Sequence, residues 1–180
     1  MQRSLVMTVI GEDRPGLVES LARLVAEHGG NWLESRMSRL GGHFAGILRV
    51  EVPAAQERSL LSALQALAAS GLTVVAHPDS AGPVAASARL RTLEIVGQDR
   101  PGIVRQISRA LAGHGVNVED LQTECTSAAM SGETLFRARA KLSLPETCDA
   151  DELRAKLERI AADLIVDLSF AELPATQTTS

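Results

Sequence analysis

Hydrophobic positions along the chain fall into two rhythms, and their alternation occurs twice. Leu5 to Ile10 is a short apolar run with β-branched residues, closed by Gly11, and reads as a buried strand. Leu17, Leu21, Leu24 and Val25 then recur at helical spacing. Trp32 to Leu40 and Phe44 to Val52 flank Gly41-Gly42, a pair suited to a two-residue hairpin. Leu60, Leu64 and Leu67 return to the helical rhythm, and Leu72 to Ala76 forms a closing strand.

The second half repeats this order. Leu90 to Val96 reads as a strand, and Ile103, Ile107, Ala110 and Leu111 as a helix. Phe136, Ala138, Ala140, Leu142 and Leu144 then face one way, while Arg137, Arg139, Lys141 and Ser143 face the other. Period two with one polar side predicts a strand covered on one face. Leu153, Leu157 and Ile160 mark a second helix, and Leu164 to Phe170 a final strand. The predicted class is α+β: two ferredoxin-like β-α-β-β-α-β units, each a four-stranded antiparallel sheet with two helices on one face. The expected bounds are residues 1–77 and 89–172, joined by a linker at 78–88 rich in Pro, Ser, Ala and Gly, with a frayed tail at 173–180.

The repeat is also visible residue by residue. Val9-Ile10-Gly11-Glu12-Asp13-Arg14-Pro15-Gly16 reads against Ile95-Val96-Gly97-Gln98-Asp99-Arg100-Pro101-Gly102, and His28-Gly29 against His114-Gly115. Pro53 answers Pro145 at a longer offset, which places about six extra residues in the second hairpin loop, Ser127 to Gly132. Pro15 and Pro101 suit a first helical turn, and Gly29 and Gly115 a helix C-terminus.

A β-α-β-β-α-β unit whose first turn reads Gly-x-Asp-Arg-Pro-Gly resembles the ACT domain, an amino-acid-sensing module. Two such units in about 180 residues resemble the glycine cleavage system transcriptional repressor family. The resemblance implies sheets paired side by side, with an amino acid held near the first turn of one unit and the second strand of its neighbour. The positions so implied are Gly11, Asp13, Pro15, Gly16 and Asn31, and Gly97, Asp99, Pro101, Gly102 and Asn117. Glycine is the ligand the resemblance suggests, and a DNA-binding transcriptional activator the partner. Some ACT domains carry Asn where this chain has Asp13 and Asp99.

The turn has a chemistry of its own. A helix N-terminus offers unpaired N–H groups to a carboxylate, Gly11 and Gly16 allow close approach to backbone, and Asp13 or Asp99 can accept from an ammonium. Asp13 and Asp99 equally suit N-caps, donating nothing and accepting from an N–H such as that of Gly16. Arg14 and Arg100 fit a ligand carboxylate or a solvated surface. Asn31 and Asn117 are by default turn residues beside the cap glycines. His28 and His114 suit capping of helix C-termini. Trp32 suits core or interface packing, and Arg137, Arg139 and Lys141 a solvated face.

Charge narrows the function. The chain has 18 Lys plus Arg against 22 Asp plus Glu, a net charge of −4, and only four aromatic residues, Trp32 and three Phe. Without a basic patch or stacking aromatics, direct nucleic-acid binding is not expected. The N-terminal residues lack the apolar run of a secretory signal, and no stretch suits a membrane span, so a cytoplasmic protein is expected. Cys125 and Cys148 are expected as small buried or half-buried residues, not a redox pair. No metal cluster, cofactor motif or catalytic set is legible, and homodimerisation is expected because two small cores are each marginal. A non-enzymatic amino-acid regulator is the first reading. An assembly module without ligand, or the detached regulatory unit of an enzyme, are the others.

Overall fold

The computed structural model describes residues 1–79, 89–127 and 134–173. The chain divides into two compact units, Met1–Gly82 and Pro83–Ser180. Unit one runs β1 (Gln2–Glu12), α1 (Leu17–Glu27), β2 (Asn31–Leu40), β3 (His43–Pro53), α2 (Glu57–Ala66), a 3-10 turn (Leu67–Ser70) and β4 (Leu72–Pro78). Unit two runs β5 (Arg89–Gln98), α3 (Ile103–Gly113), β6 (Asn117–Ser127), β7 (Thr134–Leu144), α4 (Ala150–Leu164) and β8 (Val166–Glu172). The sheets are ordered β2-β3-β1-β4 and β6-β7-β5-β8, every neighbouring pair antiparallel. These are the two expected ferredoxin-like units.

Each core lies between its sheet and its helices. In unit one, Leu5, Met7 and Val9 of β1 meet Leu17, Leu21 and Val25 of α1 and Leu60 and Leu64 of α2. In unit two, Leu93 and Ile95 meet Ile103, Ile107 and Leu111, with Leu153 and Leu157 from α4. No polar or charged residue is buried among the described residues. Each fully buried Leu contributes roughly 1.5–3 kcal/mol, so these interdigitated aliphatic rows hold the helices to the sheets. On β7 the alternation is as predicted, with Phe136, Ala138, Ala140, Leu142 and Leu144 buried.

Several details differ from the sequence expectation. Pro15 and Pro101 precede their helices instead of opening them. Gly16 (φ 90°) and Gly102 (φ 96°) stand between as N-caps in the left-handed region, where a β-carbon is disfavoured. The last strand begins at Val166, because α4 continues through Leu164 and is stopped by Ile165 at φ 56°. Cys125 is exposed on the edge strand β6, and only Cys148 is buried. Most of the expected hairpin extension and of the linker lies outside the described residues.

The helix C-termini are as expected. Gly29 N–H donates to the Ala26 carbonyl and Gly30 N–H to that of Val25, the paired bonds of a Schellman turn. Gly115 and Val116 repeat them onto Ala112 and Leu111. His28 Nδ1 lies 2.7 Å from the Leu24 carbonyl and His114 Nδ1 2.9 Å from that of Ala110, so each ring donates to its helix end.

Candidate functional site

The two Gly-x-Asp-Arg-Pro-Gly turns link the end of a central strand to a helix that crosses back over the sheet. Their first glycine is fixed by packing within the unit. A β-carbon on Gly11 would sit 2.5 Å from the Gly71 carbonyl oxygen, and one on Gly97 2.5 Å from Val166 Cγ1. Both glycines therefore let the chain at the start of the outer strand approach closely. Pro15 and Pro101 are exposed in the turn, and Gly16 and Gly102 reverse the chain into the helix.

Asp13 and Asp99 are not the caps of these helices, since α1 and α3 have no side-chain cap. Each is anchored by its backbone: Asp13 N–H donates to the Gly42 carbonyl at 2.9 Å, and Asp99 N–H to that of Thr134 at 2.8 Å. Their carboxylates then diverge. Asp13 is 2.7 Å from Nε of Arg39 on β2. The Asp99 carboxylate has no hydrogen bond or ion pair among the described residues. Register explains the difference, because Arg39 lies opposite Phe44 and its counterpart opposite Phe136 is Cys125.

The arginines are equally unlike. Arg14 Nη2 donates to the Ser70 carbonyl at 2.7 Å, tying the first turn to the chain entering β4. Arg100 Nη2 donates to Gln98 Oε1 at 3.3 Å, a contact confined to its own turn. Electrostatics favour the same unit: α1 carries Glu19 in its first turn, whereas α3 carries no acidic residue there. An anion at α3 meets the positive end of the helix dipole with no acidic side chain in the first helical turn.

Asn31 and Asn117 do not join these turns within a unit. Asn31 pairs with Glu51, seven positions along β3 from Phe44, the partner of Gly11. Asn117 pairs with Ser143, again seven positions from Phe136, the partner of Gly97. At about 3.3 Å per residue the separation is roughly 23 Å. Asn117 Nδ2 donates to Glu119 Oε1 at 2.7 Å. Arg39 escaped the sequence reading because its role depends on strand register, for which no local signal exists.

Among the described residues no cluster of His, Cys, Asp or Glu could hold a metal ion, and no helix is long and apolar enough to cross a membrane.

Residues 3–77 and 91–139 each match the ACT domain family. The glycine cleavage system transcriptional repressor of Escherichia coli (strain K12) is 23% identical over 164 residues, covering 91% of this chain and 86% of that protein. A crystal structure of an unknown protein from Galdieria sulphuraria superposes with a TM-score of 0.87 at 31% identity, covering 97% of this chain and all of the other. A crystal structure of a candidate glycine cleavage system transcriptional repressor superposes with a TM-score of 0.70 at 18% identity, covering 96% of this chain and 98% of the other.

Proposed function

Because the chain belongs to the ACT domain family, carrying two such domains in tandem, we propose that it is a non-catalytic regulator that binds a small amino acid. One observation carries this reading: the first turn of unit two is open to both charges of a zwitterion. The N-terminus of α3 has a glycine N-cap, no side-chain cap and no acidic residue in its first turn, so its N–H groups suit a carboxylate. Asp99, four residues before α3, offers to an ammonium a carboxylate that has no partner among the described residues.

The rest of the reading follows what the Escherichia coli relative is named for. Carried over, it makes glycine or a similar amino acid the first candidate and transcription of amino-acid metabolism the output. A net charge of −4 supports action through a DNA-binding activator instead of by gripping DNA. The reading includes a homodimer in the cytoplasm, in which the partner copy brings Asn31 or Asn117 to a first turn.

Calorimetry of the full chain against the twenty amino acids tests the sensing step. Asp99→Asn should weaken binding by about tenfold or more, the scale of a charge-assisted hydrogen bond of roughly 1.5–3 kcal/mol. Silence across the panel at millimolar concentration overturns sensing. Gel shifts with and without a candidate activator test the output, and tight specific DNA binding by the chain alone overturns the partner.

Unit one favours a second role, assembly without ligand, because Arg39 occupies the Asp13 carboxylate and Glu19 opposes an anion at α1. Asp13→Asn should therefore leave amino-acid affinity unchanged.

A further inference from the structure

The two repeats part company at Trp32. In unit one, β2 turns Trp32 and Met37 toward the helices, where both are half-buried against the core, and Leu48 of β3 is fully buried beside them. Register identifies their counterparts. Trp32 opposes Val50 as Val118 opposes Leu142, Met37 opposes Gly46 as Thr123 opposes Ala138, and Leu48 corresponds to Ala140. At these three positions on one face unit two substitutes a smaller side chain, while Leu121 stands for Ser35, Ala138 for Gly46 and Leu142 for Val50.

The neighbouring residues do not close the space. A half-open cavity of about 40 Å³ lies between α3 and the sheet, with Ile95, Ile103, Ile107, Val118, Phe136 and Ala140 in its wall. Ser108 is the one wall residue with a polar side chain, and its hydroxyl already donates to the Val104 carbonyl of its own helix. A water molecule needs roughly 10–15 Å³ on this measure and two or more polar partners. The cavity thus has room for about three water-sized bodies but offers them no hydrogen bonds. What fits is a small branched aliphatic group. At the rim, Val104, Val118 and Leu121 remain 39–50% exposed, so such a group can enter from outside.

Part of the cavity wall lies at the end of the unit that carries the open turn. Ile103 directly follows the Gly102 N-cap, and Phe136 is the strand partner of Gly97. We propose that this cavity receives the aliphatic side chain of an amino acid held at the Asp99 turn, so that unit two prefers leucine, isoleucine or valine to glycine. The proposal rests on the amino-acid reading above and departs from glycine as the ligand. Unit one supplies the internal comparison: the same place in the same fold is filled by its own Trp32 and Leu48.

Methyl NMR on the full chain, titrated in turn with leucine, isoleucine, valine and glycine, tests this. The branched amino acids should shift the methyls of Ile103, Ile107 and Leu121 and show intermolecular NOEs to Phe136, with affinity at least about tenfold above glycine. Ala140→Leu and Val118→Trp each restore a residue that the fold already accommodates in unit one. Either should weaken leucine binding at least about tenfold, with dispersed unit-two signals confirming the fold. Should both variants unfold, the NOEs on the unaltered chain still decide. Glycine shifting residues 97–102 while leucine leaves the cavity methyls unmoved overturns this proposal and spares the amino-acid reading. Silence towards all four, extended to the remaining amino acids, overturns both.

Discussion

Asp13 and Arg39 meet at 2.7 Å at one end of unit one, whereas Asp99 in unit two lies in the same turn with Cys125 at the position of Arg39. The pair is solvent-accessible, with 71% of the Arg39 side chain and 33% of the Asp13 side chain exposed. It therefore contributes less than about 1 kcal/mol to stability. Its consequence is chemical: it decides which carboxylate is available to a cation.

Cys125→Arg transplants that cation into unit two. Amino-acid affinity should fall about tenfold or more by calorimetry, while the thermal midpoint moves by no more than a degree or two. Unchanged affinity would remove Asp99 from the site.

Gly11→Ala and Gly97→Ala test the structural account of the first glycine. The new methyl meets the Gly71 carbonyl oxygen just before β4 in one case and Val166 of β8 in the other, each at 2.5 Å, and overpacking of this kind costs about 1–3 kcal/mol. Urea unfolding should show the loss in the mutated unit. A change below about 0.5 kcal/mol means that β4 or β8 yields, and the glycine must then be explained by a ligand.

Ile165 is a β-branched residue at φ 56°, where unit one has Gly71 at φ 82°, each just before its last strand. The left-handed region costs such a residue roughly 1–2 kcal/mol, and with 68% of Ile165 exposed little packing offsets it. Ile165→Asn should stabilise unit two by about 1 kcal/mol, raising its midpoint by a few degrees in calorimetry. A lower midpoint would show that the exposed side chain contributes more than the strain.

Asp149 caps α4, accepting from the backbone N–H groups of Asp151 and Glu152. Those bonds, that from Glu152 foremost, hold its carboxyl below the ordinary range. A lowered folded value means that the stabilisation is complete above the unfolded value, near ~3.9, and is lost as pH falls through the folded one. Unit two of Asp149→Asn, which keeps a capping oxygen, should show a smaller loss of stability on acidification below about pH 4. Parallel acid curves for the two proteins would contradict this.

The element order was legible because each helix and strand carries its own period and the repeat states it twice. Gly41-Gly42 and the paired β7 faces announced their geometry locally. The helix starts did not, because Pro-Gly suits either an opening turn or a preceding one until the φ of the glycine is known. The site was half legible. Asp13 and Asp99 look identical in the sequence, and only strand register brings Arg39 to one and Cys125 to the other. The hollow beneath α3 was written in Val118 against Trp32 and Ala140 against Leu48, but the latter pairing needs the six-residue shift between the hairpins.

The seven-position separation of Asn117 from the Gly97 end of the sheet sets a rule for any signal this chain sends. A molecule of amino-acid size cannot bridge roughly 23 Å, so one that touches both a turn and an asparagine takes them from two units, and in the homodimer proposed above it does so only when two copies have met. Such a ligand reads a conjunction, its own abundance and that of the protein. Its apparent affinity then rises with protein concentration, as mass action requires of a site completed by association, and dilution alone would switch the response off.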